Sequence, residues 1–558
     1  MEKSKALRSR LQAAINAGKK RMEETNTYID FLKGKQYAKK PKKDEATFNI
    51  CHTTVQAILN SILRGEPHMY VDPLDGEAVE PADLVEKVIN RYWKKLKVKY
   101  QLELTVIDYA ALGMGISYVD YDFRLDEKGR LINDDPFVLH VPFEDFLIDP
   151  DATQEEIYEA KYMVRKYVKS TKELKADKRY KHTKNIKGDK KVPEDVTKDK
   201  SDDIERTTLY QIWVPEDGAS YVMREHSEDI LREVENKFGR EYPFVLLQNY
   251  KMPGELYPFG EIKILYEPQK VLNRIFSMVL THARKVSTRQ YIANDLIKSE
   301  ELRKLKDAED GEVLKVEGNS RSQDILSPIM DAPLSVDVYK AYELINSSIV
   351  QLSSISEYRR SAMPDKQRKA TEAVYIEQGT EMSTNAKAED VQEHCEEIAR
   401  KLFILLRNED NIQTREITYK DEKANQYITQ EYNRDSFPGE YSFRWESGVA
   451  APLNAGTRYQ KALGLLNTIS TITAANPQLA QTINWTELLR SVLQDSEIKN
   501  IEEILTPEQP MIPPEMQGME GQIPPEGMPP EEGMPMEGQE QVDPELMNMV
   551  MQSMNRGQ

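Results

Sequence analysis

The sequence predicts an α+β protein that is mainly α, and three observations support this fold class. Several stretches place apolar residues at helical spacing, beginning with Leu7, Leu11, Ala14 and Ile15. Other runs, such as GISYVDYDFR, alternate apolar and polar residues, which is typical of strands. The last stretch, 507–558, has too little bulky apolar content to offset the entropy of ordering a chain. Packed helices and strands are therefore expected to precede a disordered tail.

The first 155 residues predict helices followed by a hairpin. Residues 1–43 carry 13 Lys or Arg against four acids and predict a basic amphipathic helix, whose charge fits either a solvated face or contact with nucleic acid or an acidic partner. FNICHTTVQAILNSIL predicts a buried helix with Asn49 as its N-cap, and HMYVDP after it an extended piece. Residues 83–109 predict two amphipathic helices. GISYVDYDFR and PFVLHVPF, joined by DEKGR, predict a hairpin.

The middle of the chain predicts helix, loop, strands and helix in turn. Residues 156–180 predict a basic helix, because 13 Lys or Arg and three acids lie between Lys161 and Lys191. The apolar-poor stretch after it predicts an exposed loop. TTLYQIWV, ASYVMREH, DILREVE and YPFVLLQNY then predict strands of a compact β-rich insert. A long helix is predicted from Pro268 to Val286 by five apolar positions: Val271, Leu272, Ile275, Met278 and Val279.

The C-terminal half predicts mostly helix. Residues 335–408 are helical by pattern, with one break at Met363 and Pro364, and a strand-like piece follows at 441–445. A helical pair is predicted after it. The tail over 507–558 holds 10 of the 29 prolines, 10 of the 21 methionines, ten acids and one basic residue.

Composition and missing motifs exclude several classes of function. The net charge of −18 argues against a uniformly basic nucleic-acid binder, since affinity for phosphates depends on Lys and Arg. Two cysteines cannot form a disulfide framework or a four-cysteine zinc site. The N-terminal segment has no apolar core typical of a secretory signal, and no window is apolar enough to span a membrane.

No motif for catalysis or for binding a metal or cofactor stands out. Phosphate-binding loops, HExxH and GxSxG are absent from the sequence, and Gly113 and Gly115 fit a tight approach or turn. His394 and Cys395, flanked by three glutamates, are the nearest thing to a metal cluster, although the acids fit a solvated face and the cysteine a packed one. The sequence therefore predicts no catalytic residue, metal or cofactor. A nuclease or ligase-like enzyme would need carboxylates that only folding could bring together.

The order of several segments resembles that of tailed-bacteriophage portal proteins. The segments are FNICHTTVQAILNSILRGEPHMYVDP, DYAALGMGISYVDYD, VPFEDFLIDPDA, KMPGELYPFGEIKILYEPQKVLNRIFS and EYRRSAMPDKQRKATEAVYIEQ, followed by the Met-, Pro-, Gly- and Glu-rich end. Each is degenerate, but together they cover most of residues 45–410 in the expected order.

The resemblance implies a portal-type fold with a wing, a helical stem, a β-containing clip and a helical crown. Mapped by order, it gives N-terminal helices and wing over 1–155, a first stem helix over 156–180, a clip-like insert over 181–258, a second stem helix over 259–292, a channel-proximal segment and wing helices over 293–450, crown-like helices over 451–506 and the disordered tail over 507–558. The long Lys-rich loop at 181–205 departs from a minimal portal.

The resemblance also implies a function: a ring, typically of twelve subunits, at one capsid vertex. Terminase, by its large subunit, would pump DNA through the ring, and the genome would later leave through it. Tail or adaptor proteins, major capsid protein and scaffolding protein are the other implied partners, with transient non-specific contact to double-stranded DNA and none to a membrane. The implied location is the virion, and the host cytoplasm during assembly. Another large virion structural or scaffold-type protein is the alternative.

Two groups of basic residues are the candidate functional residues. Arg284, Lys285 and Arg289 lie at the end of the second implied stem helix and are predicted to touch DNA phosphates in the channel, although basic residues at a helix C-terminus are also favoured by the helix dipole. The second group, in the clip-like insert, is predicted to dock terminase or an adaptor, or else to be a solvated spacer: Lys184, Lys187, Lys190 and Lys191.

Overall fold

The structure is a computed structural model, and the described residues are 2–37, 45–63, 68–125, 131–189, 205–287, 291–293, 326–328, 335–353, 370–408, 415–421 and 426–446. All of them belong to one compact unit, Met1–Pro452. The predicted crown-like helices over 451–506, the tail over 507–558 and the break at Met363 and Pro364 lie outside the described residues.

Four helices open the fold, as predicted. They are α1 (Glu2–Leu32), α2 (Ile50–Ile62), α3 (Ala82–Lys95) and α4 (Val98–Leu112), with strand β1 (His68–Pro73) between α2 and α3. Asn49 caps α2 as expected, since its side chain accepts a hydrogen bond from the His52 N–H. Helix α4 is largely apolar and packs against α1, α2 and α3 as well as the hairpin that follows it. It is therefore the central helix of this layer.

The predicted hairpin is confirmed and belongs to a three-stranded sheet. Strands β2 (Met114–Leu125) and β3 (Leu131–His140) pair antiparallel, with Ser117 opposite His140, and β9 (Phe244–Gln248) pairs with the other side of β2. The turn into β2 is made by Gly113, whose φ of 108° ends α4 in the left-handed region.

A five-stranded antiparallel sheet has the order β4-β5-β6-β7-β8. Its strands are β4 (Phe146–Ile148), β5 (Met163–Ser170), β6 (Arg206–Val214), β7 (Ala219–Met223) and β8 (Arg232–Glu235). One face of this sheet is covered by α1, because Leu7, Leu11 and Ala14 pack on its buried apolar side chains. The predicted amphipathic N-terminal helix thus has a solvated basic side and an apolar side that covers a sheet.

The helix predicted over 156–180 is wrong for most of that stretch, which cannot be a first stem helix as a whole. Its centre is β5, paired on both sides, and only the short α5 (Thr171–Ala176) is an α-helix. Val164 and Val168 lie four residues apart, which suits a helix face, yet β-branched and aromatic residues here favour a strand between two partners.

The clip-like insert predicted over 181–258 contains the predicted strands, but it is not a separate unit. Strand β6 pairs with β5 over eight positions and β9 pairs with β2, so hydrogen bonds cross the first predicted boundary, and the bridge between Tyr250 and Phe259 crosses the second. The described strands of this stretch therefore belong to sheets that also contain strands from earlier in the chain.

Three long helices and further strands complete the described chain. They are α6 (Glu261–Ser287), the short pair β10 (Tyr291–Ala293) and β11 (Leu326–Pro328), α7 (Val336–Ser353), α8 (Ala370–Asn408), the hairpin β12 (Arg415–Asp421) and β13 (Gln426–Tyr432), and β14 (Tyr441–Glu446). The predicted helix within 259–292 is confirmed, although it begins at Glu261 and runs through Pro268. The predicted strand near 441–445 is confirmed as β14. Its partner is β1, with Met69 opposite Trp445.

Candidate functional site

Helix α6 is the element implied to lead toward a DNA channel, and a polar stripe along it binds the segment before α2. Gln269 is 1% exposed and accepts a hydrogen bond from the Ile50 N–H at 3.0 Å. Its amide donates to the Phe48 carbonyl at 2.7 Å and to the Asn273 side-chain oxygen at 2.9 Å. Asn273 also accepts from the Phe48 N–H at 3.3 Å. Two side chains one turn apart thus satisfy three backbone groups at the start of α2.

The residues after α1 join the same network. Asn273 donates to the Gln36 side-chain oxygen at 2.5 Å, and Gln36 donates to Asn49 at 3.1 Å. The Tyr37 hydroxyl lies 3.0 Å from the Ala46 carbonyl oxygen and 3.1 Å from the Ser277 hydroxyl. Because Gln269, Asn273 and Ser277 recur every fourth residue, they lie on one face of α6. This face connects α6 to both α1 and α2.

Replacing Gln269 by Leu is expected to lower the free energy of unfolding by about 2–4 kcal/mol, because the Ile50 N–H and the Phe48 carbonyl would lose buried partners. Urea denaturation followed by circular dichroism measures the change. Arg274→Leu, at an exposed position of the same helix, is the matched control and should change stability by less than about 0.5 kcal/mol. Equal effects of the two substitutions would contradict the assigned role of Gln269.

A buried ion pair joins the start of α6 to α8. Glu261 is fully buried, and its Oε1 lies 3.0 Å from the Lys387 ammonium. The Tyr250 hydroxyl donates to Glu261 at 2.9 Å, and Lys387 donates to the Asn249 side-chain oxygen at 2.7 Å. Burial, then the charge of Glu261, raises the pKa of Tyr250, so this hydroxyl stays protonated as a donor. These contacts fix the beginning of α6 against α8 and the segment after β9.

Two backbones cross closely beside this ion pair. A Cβ added to Gly260 would lie 2.5 Å from the carbonyl carbon of Ala111 and 2.7 Å from the Gly113 nitrogen. A Cβ on Gly115 would lie 2.3 Å from the Thr105 carbonyl oxygen. The interpretation of Gly113 and Gly115 as a tight approach is confirmed, and the end of α4 meets the approach to α6 only because these positions lack side chains.

Helix α6, from Val271 onward, and its neighbour α7 leave apolar side chains exposed. On α6 these are Val271, Phe276, Met278 and Leu280, and on α7 they include Tyr339, Leu344 and Leu352. Leu344 is 70% exposed, and the two helices pack against each other. An apolar surface of this kind on a helix pair is typical of a protein contact surface.

The predicted channel residues fall partly within the described part of the chain. Arg284 is exposed near the end of α6, which ends at Ser287. Lys285 lies in the same helix, although its side chain, like the whole of Arg289, lies outside the described residues. Arg284 and Lys285 are therefore neighbours in one helix, and their contact with DNA stays a prediction.

The predicted docking lysines also fall only partly within the described residues. Lys184 and Lys187 are exposed in a turn between α5 and β6, and Lys190 and Lys191 lie outside the described residues. The turn is anchored by Ile186, which is 2% exposed, and by Asp189, whose carboxylate accepts from the Thr208 N–H at 2.9 Å. The described lysines thus project from a fixed turn, and their docking role stays a prediction.

His394 and Cys395 pack inside rather than forming a metal site. The His394 Nε2 lies 2.8 Å from the Ser117 hydroxyl, and complete burial lowers the pKa of His394 to about 3. Burial raises the pKa of the Cys395 thiol, which keeps it protonated and unreactive. Within the described ranges, no group of three His, Cys, Asp or Glu side chains is placed to hold a metal ion. Both residues therefore join α8 to the sheet beneath it.

Sequence reasoning missed the Glu261–Lys387 pair and the role of Gln269. Both contacts join residues more than a hundred positions apart, so local spacing carries no signal for the pair. The signal for Gln269 was present, since polar residues at 269, 273 and 277 interrupt an apolar helix at intervals of four.

Two models of known protein families match this sequence. The sequence model of the family described as phage SU10 portal protein matches residues 115–555 of the 558. The chain belongs to this family of phage portal proteins. A model of the phage P22-like portal protein family also matches, over residues 8–220. A search of curated proteins found no match.

This portal protein is a mixed helix and strand structure, about half helical, which is consistent with a portal fold. The portal families are structural rather than enzymatic, and they suggest an oligomeric ring associated with the capsid and tail. Membership of the portal family implies that the protein is located in the virion capsid. Among the helices that the structure describes, none has the length and apolar character needed to span a membrane.

Proposed function

We propose that this portal protein forms a ring, of twelve subunits, at one capsid vertex and serves as the conduit for packaging and ejecting the genome. The observation that carries the proposal is the family match over residues 115–555. The exposed apolar side chains of α6 and α7 support it, because a subunit that closes a ring must cover such a surface with a neighbour. The acidic net charge supports it as well, because a wall that repels phosphates lets DNA slide.

The partners proposed for the ring follow from the same role. Terminase, through its large subunit, would dock on the ring during packaging, and tail or adaptor proteins would replace it afterwards. Major capsid and scaffolding proteins would surround the ring at the vertex, and double-stranded DNA would touch it only transiently. Assembly is proposed to take place in the host cytoplasm.

Negative-stain electron microscopy of the purified chain tests the proposal. Rings with a central hole are the expected result, and analytical ultracentrifugation should give a mass near twelve subunits. A protein that stays monomeric, or forms only irregular aggregates under all assembly conditions, would favour the scaffold-type alternative instead.

The channel residues give a second test. Replacing Arg284 and Arg289 by Gln should leave ring formation intact and the melting temperature within about 2 °C of the parent, because Arg284 is exposed and substitutions at exposed positions change stability little. Packaged DNA length or its retention in the head is expected to fall, since each subunit repeats the lost phosphate contacts around the ring. Packaging equal to that of the parent would mean that these residues do not contact DNA, and would favour the helix-dipole explanation of their basic character.

The docking lysines give a third test. Neutralising Lys184, Lys187, Lys190 and Lys191 to Gln is expected to weaken binding of terminase or adaptor and to reduce its salt dependence, while rings persist. Surface plasmon resonance at two salt concentrations measures both quantities. Unchanged affinity and unchanged salt dependence would indicate that these lysines belong to a solvated spacer without a docking role.

A further inference from the structure

The five-stranded sheet has a second face that α1 does not cover. This face and the β2–β3 hairpin enclose a groove with a volume of about 530 Å³. We call it the arginine groove because five cationic side chains line it: Arg124, Arg165, Lys169, Arg179 and Arg232. Among the described residues, only two carboxylates line it, Asp120 and Asp122. In a chain of net charge −18, this is a local concentration of positive charge.

Three of the five cations already have carboxylate partners. Arg124 donates to Asp122 at 2.5 Å, and Lys169 lies 3.0 Å from the Asp177 carboxylate. Arg179 also pairs with Asp177, at 2.8 Å. These ion pairs fix the wall of the groove and leave little net charge of their own.

Arg165 and Arg232 differ from the other three. The Arg165 guanidinium lies 4.4 Å from the centre of the Tyr118 ring, and that of Arg232 lies 5.6 Å from the centre of the Tyr180 ring. Neither forms an ion pair with any carboxylate among the described residues. Asp120, the acid that shares the groove with them, is already bonded to the Tyr118 hydroxyl and the Tyr121 N–H. Two half-buried guanidinium groups thus lie over aromatic rings without a carboxylate within 4 Å among the described residues, and the charge of Asp120 attracts Arg232 from farther away.

The shape of the groove limits what can compensate that charge. A guanidinium presents a planar set of donors that matches a carboxylate in two parallel hydrogen bonds. The groove is a recess between two sheets, so side chains of an acidic segment can enter it, whereas a DNA duplex would have to contact it from outside. The geometry therefore favours carboxylates carried on a peptide segment.

We propose that the arginine groove receives an acidic segment of a second copy of this chain, as one half of the contact that closes the ring. The proposal rests on the proposed function, which supplies the ring. A head-to-tail ring needs two different surfaces that complement each other on each subunit. A second copy offers such segments: the loop 151–159 alone exposes Asp151, Glu155, Glu156 and Glu159. Charge complementarity between copies is thus available within one sequence.

The test compares ring assembly by four full-length proteins, the parent and three double variants. Arg165→Gln with Arg232→Gln removes the two charges that have no ion pair among the described residues, and Lys20→Gln with Arg240→Gln removes two exposed charges elsewhere. Analytical ultracentrifugation over a concentration series is expected to show that the groove variant needs about tenfold or more protein to form rings, with a weaker dependence on salt, while the control assembles like the parent. Arg165→Lys with Arg232→Lys should restore part of the loss.

Each outcome decides the proposal. If the groove variant assembles within about twofold of the parent concentration, the groove is not part of the ring contact, although the proposed function stands. If the parent itself forms no ring, the proposed function fails and this inference fails with it. Should the double variant melt well below the parent, Arg232→Gln alone, on the edge strand β8, is measured instead against Arg240→Gln under the same criteria.

Discussion

Replacing Lys387 by Met is expected to lower the free energy of unfolding by about 3–5 kcal/mol, because it leaves Glu261 as a buried charge without its counter-ion. Glu261 is fully buried, and Lys387 is the cation within 4 Å of it among the described residues. The Tyr250 hydroxyl would remain as a donor, but one neutral hydrogen bond cannot replace an ammonium group. Chemical denaturation of the full chain measures the loss.

A double variant separates this charge effect from simple loss of packing. Glu261→Gln combined with Lys387→Met removes both charges and should be less destabilised than Lys387→Met alone. Lys19→Met, on the exposed side of α1, is the matched control and should behave like the parent. A double variant that is less stable than the single one would mean that Glu261 does not depend on Lys387.

Replacing Gly260 by Ala is expected to be similarly severe, with a loss of about 3 kcal/mol or more in the free energy of unfolding. The new Cβ would lie 2.5 Å from the Ala111 carbonyl carbon and 2.7 Å from the Gly113 nitrogen. Both are backbone atoms, so no side-chain rotation can relieve the overlap, and α4 and α6 would have to move apart.

Gly76→Ala is the matched control for this substitution. An added Cβ at Gly76 meets nothing within 4 Å, so the change in stability should stay within about 0.5 kcal/mol. Thermal unfolding of both variants is sufficient to compare them. A Gly260→Ala protein as stable as Gly76→Ala would show that the crossing of α4 and the approach to α6 can open at little cost.

Local patterns were sufficient to predict most described elements. Asn49 before an apolar run predicts the start of α2, and alternation on both sides of DEKGR predicts the β2–β3 hairpin. The strand β5 was misassigned because basic residues fill many of its positions, and such side chains are compatible with a solvated helix. In the structure Lys166 lies 2.6 Å from the Asp145 carboxylate and Lys169 lies 3.0 Å from that of Asp177, so tertiary ion pairs accommodate the charge in a sheet.

Long-range contacts could not be predicted. The hairpin β12–β13 was missed although REITYKD places Ile417 and Tyr419 two residues apart, so a short period-2 signal was present in its first strand, whereas QYITQEY does not alternate. By contrast, nothing local indicates that Arg165 and Arg232 meet in one groove, or that Glu261 meets Lys387. Such contacts depend on how strands and helices pack, which spacing along the chain does not encode.

The pairing of β1 with β14 has a consequence for synthesis of the subunit. The Asp75 carboxylate accepts a hydrogen bond from the Glu440 N–H, 365 positions later in the chain, beside the paired strands. At a translation rate of about 5–20 residues per second, β1 waits for about 20–70 s before its partner leaves the ribosome. The early helices can pack during that interval, but the edge of β1 stays open to other strands. A nascent subunit therefore completes this sheet only after residues 441–446 have emerged, so truncated chains that stop before Tyr441 would carry an unpaired strand and be prone to aggregate.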